Sequence, residues 1–163
     1  MPRLRMERAA IAAAHRWMAP SLRSLGKGQR AFCSWDEDSV TMGVEAARDL
    51  ARGHGLAGVG RLLFASTSMP FADLQNASLV HGALGLADSV RTLDIGQSQR
   101  AGTAALLEAL TTEGDDEALV VVASDCPRGK PASTQELTFG AGAAAFTVGR
   151  EGVLAELLGH AST

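Results

Sequence analysis

"TLDIGQSQRAGTAALLEAL", residues 92–110, changes its periodicity in the middle. Residues 92–95 read as a short apolar strand, and 101–110 as a helix that is apolar almost all round. Between them lies the corner Gly96-Gln-Ser-Gln-Arg100. A strand-to-helix corner is where many α/β enzymes hold a nucleophile, because free backbone N–H groups and the helix dipole favour negative charge there. Here the corner offers amides, one hydroxyl and one guanidinium. It reads as an active site, as an altered one, or as a polar turn. The helix after it is broken only by Thr103 and Glu108. Such a helix is normally sandwiched between layers, so more chain or a second subunit is expected to cover it.

Outward from this corner the same alternation recurs. Residues 61–65 and 118–123 read as buried strands, and 76–84 as a helix closed by Gly85. Upstream, 5–18 reads as a first helix with Met6, Ala10, Ala13 and Trp17 on one face, ended by Pro20. Residues 21–38 read as a loop with a short extended piece at 31–33. A second helix starts near Ser39, capped by Asp38 or Ser39, and ends in Gly53-His-Gly55. Residues 143–148 and 153–158 read as two further strands joined by a tight turn at 149–152. The expected fold is α/β, a mostly parallel sheet with an antiparallel edge and no leading strand.

Composition narrows the classes. The 163 residues suffice for one domain; 46% are apolar and 20% charged, with a net charge of −3. That balance argues against a nucleic-acid or membrane partner, and no apolar run approaches the ~20 residues of a membrane span. The start, MPRLRMER, lacks the apolar core of a signal peptide, so a cytoplasmic protein is expected. Cys33 and Cys126 lack CxxC spacing and read as two reduced cysteines; the four histidines do not cluster, so no metal site is expected.

Two motifs come near known patterns and are set aside, one on its context and one on its letters. Gly53-His-Gly-Leu-Ala-Gly58 precedes a strand, whereas a dinucleotide loop follows one, so it reads as a helix end and turn. Gly96-Gln-Ser98-Gln-Arg100 comes within one residue of a nucleophile elbow, with Asp125 and His160 following in hydrolase order. Arg100 stands where that elbow needs glycine for steric reasons, which argues against a Ser98 triad. In Phe139-Gly-Ala-Gly-Ala-Ala-Ala-Phe146, Gly140 and Gly142 read equally as a turn needing unusual φ or as the wall of a substrate site.

"DEDSVTMGVEAARD" (36–49), "LLFASTSMP" (62–70), "NASLVHGALGL" (76–86), "DIGQSQRAGTAALLEAL" (94–110), "ALVVVASD" (118–125) and "QELTFGAGAAAFTVG" (135–149) fit together. In this order and spacing they resemble the first half of the thiolase superfamily, nearest to hydroxymethylglutaryl-CoA synthases and then to ketosynthase-type condensing enzymes. The resemblance implies one half of an αβαβα layered fold, residues 101–110 being its buried central helix. It further implies that the first strand and the catalytic second half are absent from residues 1–163. The family's nucleophilic Cys, which takes an acyl group as a thioester, falls at Gln99, and the synthase's acidic Glu falls at Thr67. A carboxamide forms no thioester. Its N–H₂ can still donate to a thioester oxygen as an enolate develops, as implied by relatives in which Gln at this position leaves a decarboxylase. Ser98 and Arg100 would flank the substrate, Arg100 holding a phosphate or carboxylate unless it is simply solvated.

The implied function is acyl-CoA chemistry of lipid metabolism, making or breaking a C–C bond beside a thioester, with coenzyme A as part of the substrate and no other cofactor. The implied partners are a thiolase-fold copy or relative paired through the strand at 118–123, and a zinc-ribbon and OB-fold protein. The other readings are a non-catalytic subunit of such a complex and a fragment of a longer protein.

Overall fold

The computed structural model describes residues 2, 4–112, 119–150 and 152–161. The chain opens with strand β1 (Leu4–Glu7) and helix α1 (Arg8–Ala14), followed by a 3-10 turn at Pro20–Leu25 and strand β2 (Gln29–Phe32). Then come α2 (Ser39–His54), β3 (Arg61–Ala65), α3 (Asn76–Leu84), β4 (Arg91–Ile95) and α4 (Ala101–Thr111). Strand β5 (Leu119–Asp125), the short α5 (Thr134–Thr138) and β6 (Gly142–Val148) complete it.

The main sheet has the order β4-β3-β5-β6. β3 is parallel to β4 and β5, and β6 runs antiparallel to β5, so the expected parallel sheet with an antiparallel edge is present. Successive side chains of β3 point to opposite faces. Leu62 and Phe64 face α2 and α3, joining Val44, Ala47, Ala77 and Val80 in the main core. Leu63 and Ala65 face α4, meeting Ala101, Ala105 and Ala109.

Local chemistry explains where the helices begin. Asp38 caps α2: its carboxylate accepts from Thr41 N–H at 2.8 Å, and Thr41 Oγ1 accepts from Asp38 N–H at 2.8 Å. Ser39 instead donates to the Ser68 carbonyl at 2.9 Å. Gly55 ends α2 at φ 70°, in agreement with the reading of 53–58 as a helix end. For α3 the cap comes from another element: Asp94 on β4 accepts from the N–H groups of Asn76 and Ala77 at 2.7 and 2.6 Å.

Five expectations are corrected. The first helix is only α1, because residues 4–7 pair antiparallel with β2. Its buried residue is Ile11, while Ala10, Ala13 and Trp17 are exposed. An opening strand is therefore present, but it belongs to a separate two-stranded sheet. Residues 153–158 form no strand; Leu154 and Leu158 are exposed in an irregular segment, and Glu151 of the expected turn lies outside the described residues. The 3-10 turn and the first half of β2 lie in the stretch read as a loop, and α5 in a stretch for which no element was expected, since Gly- and Ser-rich stretches hide short elements. Lastly, Cys33 and Cys126 are not free thiols: they form a disulfide, Cα–Cα 6.3 Å. Residue 118 of the strand expected at 118–123 lies outside the described residues.

Candidate functional site

Parallel strands end together, and their following loops share one edge of the sheet. Ala65 pairs with Ile95 on one side and with Ala123 on the other. The loops at 66–69 and 96–100 and the residues Asp125-Cys126 therefore converge. Gly142, opposite Asp125 in the β5–β6 register, joins the same edge. Thr67, Ser98, Gln99, Arg100, Gly140 and Gly142 are thus brought to one side of the molecule.

At the β4–α4 corner, Gly96 lies against the 66–69 loop. A Cβ there would stand 3.2 Å from the Ser66 carbonyl and 3.3 Å from the end of Met69. Gln97 adopts φ 63°, a left-handed turn that a non-glycine residue enters at some cost. Ser98 closes the corner. Its Oγ accepts from Arg100 N–H at 3.1 Å, and its carbonyl accepts from Ala101 N–H at 2.9 Å. Ser98, Gln99 and Arg100 are exposed, and no side chain caps α4. The positive end of the α4 dipole therefore lies beside Gln99.

One strand away, Asp125 organises the 66–68 loop. Its Oδ1 accepts from Thr67 N–H at 2.6 Å, Thr67 Oγ1 at 3.0 Å, Ser66 Oγ at 3.0 Å and Ser68 Oγ at 3.5 Å. Ser68 Oγ accepts in turn from Cys126 N–H at 2.7 Å. The Thr67 hydroxyl proton is thereby directed at a carboxylate, and the residue is exposed. Sequence reasoning reached Asp125 only as the acid of a rejected triad. The usable signal was Ser66-Thr-Ser68 directly after a buried strand, with an Asp ending the neighbouring one. His160 lies exposed in the C-terminal segment, and the bonds of Asp125 run to 66–68, so Ser98, Asp125 and His160 form no relay.

Gly140 and Gly142 have ordinary φ values, so the reading of a turn with unusual φ is not the reason for them. Ala141 N–H donates to the Ala31 carbonyl at 3.0 Å, which docks this turn on β2. Around Gly142 there is open space. Among the described residues, no group of three or more His, Cys, Asp or Glu could hold a metal ion. No helix of the described residues is long and apolar enough to cross a membrane.

Comparison with known proteins places this geometry. The hydroxymethylglutaryl-CoA synthase of Pyrobaculum aerophilum is 35% identical over 128 residues, 76% of this chain and 37% of the relative. That of Aeropyrum pernix is 32% identical over 153 residues, 91% of this chain and 42% of the relative. The solved structure of an HMG-CoA synthase from Bacillus subtilis is 26% identical with a TM-score of 0.75, covering 90% of this chain and 38% of that one. The chain has the thiolase-like fold and resembles hydroxymethylglutaryl-CoA synthases. A β-ketoacyl-[acyl carrier protein] synthase III from Thermus thermophilus shares the fold at 24% identity and a TM-score of 0.79, covering 93% of this chain and 50% of that one. No protein-family model matches. The chain spans about two fifths of the length of the curated relatives it matches.

Proposed function

We propose that this chain is part of an enzyme that makes or breaks a C–C bond beside the carbonyl of a CoA thioester. The observation that carries the reading is the placement of Gln99. It is exposed at the head of α4, on the edge where Asp125 fixes Thr67. When a C–C bond next to a thioester breaks, its electron pair passes into the carbonyl, and charge develops on that oxygen as an enolate. The Gln99 N–H₂, backed by the α4 dipole, donates to this oxygen. Thr67, its proton turned toward Asp125, presents an acceptor to the substrate. Arg100 holds a carboxylate or phosphate of the thioester, Ser98 keeps the corner closed, and Gly140 and Gly142 leave the far wall open. The remaining acid–base groups come from a thiolase-fold partner, a copy of this chain or a relative. The proposed setting is cytoplasmic acyl-CoA metabolism, with a zinc-ribbon and OB-fold protein as a further partner. Resemblance to hydroxymethylglutaryl-CoA synthases supports the substrate class.

The test is turnover of malonyl- and β-hydroxyacyl-CoA by the assembly that contains this chain, with Gln99 and with Gln99→Ala. Loss of one oxyanion donor is expected to lower kcat by about 10²-fold. Unchanged turnover removes Gln99 from the mechanism.

A second reading is a non-catalytic partner subunit. It is favoured by a carboxamide where an acyl-Cys would form, and by the apolar residues Leu106, Leu107 and Leu110 on the side of α4 away from the sheet-facing alanines. Absence of CoA-thioester binding by a folded sample selects this reading.

A further inference from the structure

Beside the proposed thioester site lies an open cleft between the segment after β2 and the segment after β5. Its walls include Arg30, Cys33, Trp35, Cys126 and Arg128. The Cys33–Cys126 disulfide is half-buried in this wall. Trp35 is 96% exposed, a large apolar surface without a cover among the described residues. Arg128 is exposed and forms no ion pair among the described residues. Arg30 is committed to the wall: its Nη1 donates to the Glu136 carbonyl, and its Nε is buried without a hydrogen-bond partner. Two carboxylates share the cleft, and both are engaged. Glu37 accepts from Ser34 N–H at 2.9 Å; Glu136 meets His15 at 2.6 Å and accepts from Ala132 N–H at 2.7 Å. The floor is rigid. Gly129 packs so closely on α5 that a Cβ would come within 2.5 Å of Glu136 N, and Cys126 N–H is tied to Ser68.

Guanidinium groups, an uncovered indole and a disulfide in one open cleft suit a thiol that carries both phosphates and an aromatic base. We propose that the cleft is a thiol-exchange site for free coenzyme A, the choice of thiol resting on the proposed function above. Arg128 holds the phosphates, Arg30 adds positive charge from the wall behind it, and the base stacks on Trp35. Arg128, two residues beyond Cys126, directs the attack to that sulfur. The CoA thiolate attacks Cys126 Sγ, and a new S–S bond forms as the Cys33–Cys126 bond breaks. The electron pair leaves on Cys33 Sγ, which takes up the proton that the CoA thiol gave up. No outside oxidant is needed, and the protein gains one whole CoA. The exchange frees the segment leading into α2 from the end of β5, next to Asp125.

The experiment uses the protein purified without reductant in its own assembly. It is treated with CoA or with 2-mercaptoethanol at equal thiolate concentration, alkylated at once and weighed without reduction. The expected product carries CoA on the Cys126 peptide and the alkyl group on Cys33, and it forms at least about ten-fold faster with CoA than with 2-mercaptoethanol. In Trp35→Ala/Arg128→Ala, with unchanged circular dichroism, the two rates converge. A Cys33→Ser variant treated with CoA disulfide is expected to carry CoA on Cys126 and to release one CoA thiol. Equal rates with both thiols, absence of the adduct in both experiments, or two free thiols in the air-oxidised protein overturn the proposal. Thioester turnover and CoA exchange, both measured on the unmodified protein, separate the two readings. Normal turnover without exchange sinks only the exchange site; absence of turnover sinks the proposed function.

Discussion

The two faces of the main sheet are finished to different degrees. On the α2–α3 face, Leu62 and Phe64 are fully buried, and both helix starts are capped, α2 by Asp38 and α3 by Asp94 from β4. On the α4 face, one helix covers the middle of the sheet with a stripe of alanines, Ala101, Ala105 and Ala109. Leu93 pairs with Leu63 in the register and so shares its face, yet it is 48% exposed. Phe146, two residues from Val148 on β6, shares that face as well and is 47% exposed. α4 carries no cap, and the corner before it contains the left-handed Gln97. One face is thus satisfied by contacts among the described residues, while the other keeps apolar surface and a helix start without a side-chain cap beside the candidate site.

The largest effect should come from breaking the closed face. Phe64→Ala removes a fully buried ring and is expected to cost about 3–5 kcal/mol in denaturant unfolding. A cost under about 1 kcal/mol would mean that this face is not the core. Next, Asp94→Ala leaves the first N–H groups of α3 without their acceptor, while the buried Asn76 Nδ2 keeps the carbonyls of Phe71 and Leu74. About 2–3 kcal/mol is expected, read as a shift of the unfolding midpoint. An unshifted midpoint would show that water replaces the carboxylate. On the open face, Phe146→Ser should change stability by less than about 1 kcal/mol while reducing association, measured by light scattering against concentration. A stability loss as large as that of Phe64→Ala would erase the difference between the faces. The smallest effect is expected at the corner. Gln97→Gly relieves the left-handed backbone and should stabilise by about 0.5–1 kcal/mol. Destabilisation would mean that the Gln97 side chain holds the turn.

The closed face was legible in the sequence because its signals are local. The run 61–65, the Asp38 cap and Gly85 after α3 each identify themselves within a few residues. The opening segment was not legible. Residues 4–7 carry helix-compatible spacing, and only pairing with β2 makes them a strand. The same limit hid the disulfide, whose cysteines are 93 residues apart. The corner at 96–100 stood out because strand and helix periods change across it. Asp125 as the organiser of Thr67 did not, since its partners lie 57–59 residues away and no spacing rule joins them. The hydrophobicity of α4 announced an open face correctly, although within this chain the helix is buried along one stripe only.

The most direct test of the account is hydrogen–deuterium exchange of the assembled protein, with and without a non-hydrolysable thioether analogue of an acyl-CoA. The account predicts slower exchange in the loops at 96–100 and 66–69 and in the first turn of α4, with α2 and α3 unchanged. Protection confined to α2 and α3, or no protection under saturating analogue, would contradict it.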